Sequence, residues 1–272
     1  QNAVQYAKDR RQGRALTGPK DPEAKADPLF VHPDIRRMLM EAKAYNEAAR
    51  ALILWGALQV DLVRRSQTEE EREQANDLVS LLTPVTKGFL TDKGYEVATN
   101  SQQIYGDHGY IREWGMEQIV RRARINMIYM DANGIQALDL VGRKLGQNGG
   151  RAIRAYFELL ASGMAGGKGG GGRRDFRLAL EKAVGDLQTA TMWLMQNGPA
   201  NPDNAGAASY SYMNLMGLVT LGLMWLRMAQ ASSAALANGG SDDADFHKAK
   251  LVTARFYAER ILPQAGAERR KI

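Results

Sequence analysis

The chain contains no cysteine. That excludes a disulfide framework, a thiolate metal site and a cysteine nucleophile, and it fits a reducing, cytoplasmic setting. Histidine is scarce: His32, His108 and His247 stand far apart, and none has a carboxylate at metal-ligand spacing, so no metal site is expected. Aromatic residues make up 7% of the chain and none interleaves a basic run, which argues against a nucleic-acid surface. There is no Gly-x-Ser-x-Gly elbow and no Walker loop, and the glycine run at 163–172 has no preceding strand, so a phosphate cradle is not expected there. Long hydrophobic runs are missing too. The most apolar stretch, residues 212–226, holds Asn214 and is closed by Arg227. It falls short of the roughly 18 residues a membrane span needs and reads as a buried core helix. No signal-peptide pattern is present. The opening residues already read as the end of a helix, so a fragment or processed product is expected.

What is present is a soluble, helix-rich composition. Of 272 residues, 44% are apolar and 24% charged, and the 12 methionines suit irregular gaps between helices. The net charge of +6 permits an anionic partner. The basic residues are nevertheless spread along the chain. The pairs Arg10–Arg11, Arg64–Arg65, Arg121–Arg122 and Arg173–Arg174 sit at or near helix ends and read as solvated faces.

The apolar periodicity predicts helices almost throughout. Residues 1–12 form the first, ended by Gly13, and a loop follows with Pro19, Pro22, Pro28 and Pro33. Asp34 is expected to cap a long helix to about Ser66, with Ile35, Met38, Leu39, Ala42, Tyr45, Ala49, Leu52, Leu58 and Leu62 inward. Thr68 with Glu71 forms a capping box for the next helix, which Pro84 should kink or split. The pattern resumes through Val85, Phe89, Tyr95 and Ile104, then breaks in a turn-rich loop at 106–115. A further helix is predicted over 116–129, an interruption at Asn133–Gly134, and a resumption over 135–145. Beyond a break at 147–150 come a short helix over 152–160, a linker at 163–172 with seven glycines, and helices over 176–196, 207–236 and 242–262. The expected architecture is all-α: an antiparallel four-helix-bundle-type domain over 1–146, a short helix and glycine-rich linker over 147–173, and a second helical module over 174–272.

The most informative segment lies between residues 102 and 145. A Gln one turn before a glycine-containing loop precedes a helix with Arg121, Arg122 and Arg124. Such a loop lets backbone approach a flat or anionic ligand closely, and a Gln amide can bond both edges of an amide or purine. Gln103-Ile104-Tyr105-Gly106-Asp107-His108-Gly109, then Arg121-Arg122-Ala123-Arg124-Ile125, then Ile128-Tyr129-Met130-Asp131-Ala132 resembles the carboxy-terminal helical domain of acyl-CoA dehydrogenases. The family pattern there is Gln-x-x-Gly-Gly-x-Gly, Arg-Asp-Ala-Arg-Ile and Ile-Tyr-Glu-Gly-Thr. Residues 133–140 also resemble the family, residues 6–14 are similar to its first bundle helix, and residues 190–194 and 250–263 resemble the extra helical module of larger bacterial members. Those members include the branch acting on methylthio-substituted acyl-CoA thioesters.

The resemblance implies an oligomer, a homodimer or homotetramer, with FAD at the subunit interface and an acyl-CoA substrate. It implies that Arg10 reaches the pyrophosphate of the neighbouring subunit's cofactor, which a planar guanidinium suits. Gln103 would touch the adenosine half, with the backbone of Gly106 and Gly109 passing close by. An upstream helical domain and a small β-domain that holds the flavin ring would lie outside these residues. Several positions depart from the pattern. Asp107 replaces a loop glycine and brings like charge towards a diphosphate. Arg122 replaces an Asp. Met130 stands where the family has its Glu base, and a thioether cannot accept a proton at neutral pH. Asp131 is the neighbouring carboxylate, one methylene shorter and, on a helix, pointing about 100° away. Ala132 replaces the family Thr. Glu41, Glu47 and Asp61, on the long second helix, read as surface or intersubunit charges. Two readings stand: part of a flavin-dependent dehydrogenase, or a non-catalytic helical relative that kept the fold and lost the base. A third, duplex DNA binding by a basic helical face, would require a steep loss of affinity with salt.

Overall fold

The computed structural model describes residues 1–165, 171–238 and 243–272, with side chains from 175 in the second of these stretches. Among them every regular element is helical, so the all-α expectation holds. Of the glycine-rich linker expected over 163–172, residues 166–170 lie outside the described residues, whereas 163–165 and 171–172 are helical rather than linker.

Two compact units emerge, one built from Gln1–Asn46 with Thr91–Met127, the other from Glu47–Leu90 with Ile128–Ile272. The first opens with α1, Asn2–Asp9. This helix is shorter than its sequence suggests. Arg10 caps it in an extended conformation, and Arg11 bridges to Pro28. The loop that follows closes on Asp27. Gln12 N–H donates to the Asp27 carbonyl, and Asp27 N–H donates to the Gly13 carbonyl. A 3-10 turn, Leu29–Val31, leads into α2, Pro33–Arg65. Pro33, not Asp34, opens that helix, because a first-turn position has no use for the N–H that proline lacks. Asp34 instead bonds Arg37 from within the first turn.

Helix α3, Glu69–Pro84, is capped by the Thr68 hydroxyl, which accepts from Glu71 N–H at 3.3 Å. The Glu71 carboxylate turns to the Ser66 hydroxyl, so the capping box is half made. After Pro84 the ladder widens into a π-turn, Val85–Phe89, before α4, Leu90–Ile104. The proline is therefore absorbed by a local change of pitch, one of the recognised causes of helix irregularity. The first unit is completed by α5, Asp107–Tyr110, a 3-10 turn, Arg112–Trp114, and α6, Met116–Ile125. Its core gathers Ala3, Ala7, Met38, Ile104, Tyr105 and Met116, with Tyr6, Leu29, Ile35 and Leu39 packed against them.

The second unit continues with α7, Asn133–Asp139, followed by a π-turn, Leu140–Lys144, and a 3-10 turn, Gln147–Gly150. Then come α8, Arg151–Ala165, α9, Gly171–Asn197, α10, Pro202–Ala237, α11, Ala244–Phe256, a π-turn, Tyr257–Ile261, and α12, Gln264–Lys271. Asn133 begins α7 rather than interrupting a helix, and α12 has no counterpart in the sequence reading. Helix α10 is buried from Tyr212 to Leu226 except at half-buried Asn214, as a core helix should be. No helix among the described residues is long and apolar enough to cross a membrane. Buried hydroxyls of α10 pair with those of neighbouring helices: Tyr212 with Thr191 of α9, and Thr220 with Tyr156 of α8, each at 2.7 Å. Burial pushes both phenols up from their ordinary range, so they stay neutral. Leu58, expected inside, is 53% exposed, and buried Gln59 takes the inward position. Glu47 pairs with Lys250 at 2.9 Å within the chain, and Glu41 pairs with Arg37 at 2.8 Å.

Candidate functional site

Helix α1 ends one residue before Arg10, and α4 ends at Ile104. In the first unit these two ends meet, because Tyr6 stacks on Tyr105 with ring centroids 4.0 Å apart. The stack brings Arg10, Gln103 and Gly106 to the rim of one cavity of about 320 Å³, bordered also by Tyr6, Gln12, Asp107 and His108. Three of the four positions singled out for the cofactor thus surround one space. The fourth, Gly109, is buried and does not border it. Its reason for being glycine is internal, since a Cβ there would lie 2.3 Å from the Gln102 carbonyl oxygen. The Gln102 amide also donates to the Gly109 carbonyl at 2.9 Å.

Gly106 has φ +57 and ψ −139, a backbone region open essentially to glycine alone. It turns the chain from α4 into α5 and leaves its own backbone exposed at the cavity. Arg10 and Gln103 are both exposed, and neither side chain has a partner among the described residues. A guanidinium and an amide with free donors on one rim suit an anionic ligand that also carries a flat heterocycle. The Asp107 carboxylate on the same rim works against an anion.

An aromatic wall, not anticipated from the sequence, supports this rim. Trp114 stacks on His108 at 4.4 Å and 9°, and meets Tyr6 edge-on at 5.7 Å. The Tyr6 hydroxyl lies 2.8 Å from His108 Nδ1 and donates to the Tyr105 carbonyl at 3.3 Å. The sequence signal for it was four ring-bearing residues on segments that flank a loop, which spacing alone does not bring together.

Met130 and Asp131 belong to the second unit. Helix α6 ends at Ile125, and residues 126–131 form turns and bends. Asp131 is therefore not on a helix, and the 100° offset from Met130 expected of a helix does not apply. Both residues have left-handed backbones, φ +48 at Met130 and φ +67 at Asp131. The family glycine corresponds to Asp131, so a position that favours glycine is here held by aspartate, one of the few other residues that tolerate it. Lys87 Nζ donates to the Asp131 carbonyl at 2.6 Å and to Asn133 Oδ1 at 2.8 Å. Asn133 Nδ2 donates in turn to the Gly88 carbonyl at 3.1 Å. This clamp holds the turn, and Met130 projects from it 78% exposed.

Residues 1–145 match the family described as Acyl-CoA dehydrogenase, C-terminal domain. The chain belongs to the acyl-CoA dehydrogenase family. Its remaining part, residues 153–272, matches a second description, Acetyl-CoA dehydrogenase C-terminal like. Within the family, the chain is 36% identical over its whole length to 3-methylmercaptopropionyl-CoA dehydrogenase of Ruegeria pomeroyi, covering 45% of that protein. It is 32% identical, again over its whole length, to the broad-specificity linear acyl-CoA dehydrogenase FadE5 of Mycobacterium tuberculosis, covering 46% of it. Among solved structures, an acyl-CoA dehydrogenase from Bacillus anthracis complexed with FAD superposes with a TM-score of 0.74 at 16% identity, over 98% of this chain and 44% of that one. Caenorhabditis elegans ACDH-11 in complex with C11-CoA gives 0.68 at 14% identity, over 96% of this chain and 40% of that one. At such identities the likeness is one of fold. The chain spans about half the length of the family relatives it matches.

Proposed function

We propose that this chain is the C-terminal part of a flavin-dependent acyl-CoA dehydrogenase, in which Arg10 and Gln103 hold the adenosine diphosphate half of an FAD whose ring sits in another copy of the full protein. The observation that carries the reading is the shared cavity, with two free donors on its rim and a glycine backbone between them. In this arrangement Arg10 neutralises and orients a pyrophosphate with two parallel hydrogen bonds. Gln103 meets the adenosine with an amide that can both donate and accept. Bound FAD would supply the hydride acceptor for α,β-dehydrogenation of an acyl-CoA thioester. The turn at 126–131 carries the position from which the family's base would remove the proton. Met130 occupies the family base position with a side chain that holds no proton, so the turn keeps its shape without its acid–base group. The reading includes a homodimer or homotetramer, a cytoplasmic setting, and a division into a bundle over 1–146, a connector over 147–173 and a C-terminal module over 174–272.

A second reading, a non-catalytic helical scaffold of the same family, is favoured by Met130 and Ala132 specifically, since both remove reactive or hydrogen-bonding groups. One experiment separates the two. The full-length protein is purified, its flavin content read from its visible absorbance, and acyl-CoA-driven dye reduction followed for the parent and for Met130→Glu. The proposal expects about one flavin per chain, slow turnover in the parent, and a gain of about 100-fold or more in the variant, the scale of a restored general base. A protein that copurifies without flavin supports the scaffold. A flavin-loaded Met130→Glu protein with no gain removes the catalytic assignment of position 130.

A further inference from the structure

We propose that the cavity between α2 and α3, within the second unit, is a binding site for a small uncharged molecule in which a flat apolar ring carries a carboxamide. The inference stands on other residues than the dinucleotide reading and goes beyond it.

The cavity measures about 310 Å³, within the range of sites for small organic ligands. Its walls are largely apolar, with Leu52 and Val60 from α2 and Val79 and Leu82 from α3. Gln59 sits among them. It is only 9% exposed, it borders the cavity, and its amide makes no hydrogen bond among the described residues. A buried amide left unbonded is costly, and in a native protein it calls for a partner. The Thr83 hydroxyl, on the same wall, is spent on the Val79 carbonyl at 2.6 Å. Thr86, one turn further on, is half-buried, and its hydroxyl is unbonded among the described residues. An amide both donates and accepts, so its complete partner does the same, and a second amide meets it with two parallel bonds. A water molecule would meet Gln59 and leave the apolar walls wet.

Charge and shape narrow the class. No carboxylate among the described residues borders the cavity. The bordering cation, Lys87, gives its ammonium to the Asp131 carbonyl at 2.6 Å and to Asn133 Oδ1 at 2.8 Å. An ionised ligand would lose water against apolar walls with no opposite charge free to replace it. The Trp55 indole also borders the cavity, and the Arg227 guanidinium lies over its ring, 5.0 Å from the centroid. A ring braced in this way is a fixed flat surface, against which another ring stacks with an offset. Beside it, Gly56 leaves the cavity open, since a Cβ there would meet no atom within 4 Å.

The test uses the full-length protein and three probes of similar size: benzamide, benzoate and toluene. Each is titrated near neutral pH by ligand-detected saturation-transfer NMR. We expect saturable binding of benzamide, with benzoate weaker by about tenfold or more. Gln59→Met keeps the length of the side chain and removes its amide. In that variant benzamide affinity should fall about tenfold while toluene affinity stays, because only the amide pair is lost. Gly56→Leu fills the cavity, leaves Gln59 in place and favours the helix, and it should abolish binding of both benzamide and toluene. Benzoate binding as tightly as benzamide overturns the uncharged class. Equal change for benzamide and toluene in Gln59→Met overturns the role of the amide. Benzamide binding that survives Gly56→Leu lies elsewhere and overturns the site. No saturable binding of benzamide to the parent overturns it as well, with Gln59 then satisfied by water or by a protein segment seated over the groove. The flavin content of the same preparation is read separately, so the failure of this site and the failure of the flavin reading are told apart.

Discussion

Asp27 shows how much one side chain can organise. It is fully buried, and its carboxylate accepts the backbone N–H of Ala15, Lys20 and Asp21, each at 2.9 Å, with Arg14 at 3.5 Å. The Ala15 amide is the largest influence; with the other amides and Arg14 it outweighs burial and holds the carboxyl down to about 2. A depressed carboxyl lends stability that is fully present above the ordinary value of about 4 and is lost as pH falls towards about 2. The loop at 10–33 should therefore loosen in that window, read as faster amide exchange there. Asp27→Asn should loosen it at neutral pH. An unchanged loop in the variant would mean the amides find other partners. At position 131 the left-handed backbone makes a different forecast. Asp131→Val should cost about 1–2 kcal/mol more than Asp131→Gly, because a branched side chain pays the full steric penalty at positive φ. Equal melting midpoints for the two would contradict the conformation described. The residues of the cavity rim were legible as a motif. The clamp of Lys87 and Asn133 on the 126–131 turn was not, since it joins side chains 46 positions apart that no local pattern relates.

At the scale of elements, periodicity located the long helices well and their ends poorly. Helix α1 stops at Asp9 because the chain must turn to pair Arg11 with Pro28, a tertiary demand that apolar spacing does not register. Helix α6 stops at Ile125 although the residues after it keep a helical pattern, because the clamped turn overrides local propensity. Pro84 was legible as a disruption, and its absorption into a π-turn was not. Helix α10 offers a test of packing. Gly217 is buried, and a Cβ there would fall 2.3 Å from the ring of Phe89, itself fully buried. Alanine favours a helix over glycine by about 1 kcal/mol. Overpacking against a ring that cannot move freely costs about 1–3 kcal/mol and wins. Gly217→Ala should accordingly lower the thermal midpoint of unfolding, and a rise would show that the helices can separate at this point.

At the scale of the whole molecule, the all-helical class was readable because apolar helical spacing recurs along the chain, and the family because three short motifs fall in one segment. The site was readable only in part, since its ligand would come from another copy and a single sequence carries no record of a neighbour. The most direct test is a structure of the flavin-loaded full-length protein. The account predicts the Arg10 guanidinium within about 3 Å of a pyrophosphate oxygen whose flavin ring lies in a different subunit. A flavin held wholly within one subunit, with Arg10 in solvent, would contradict it.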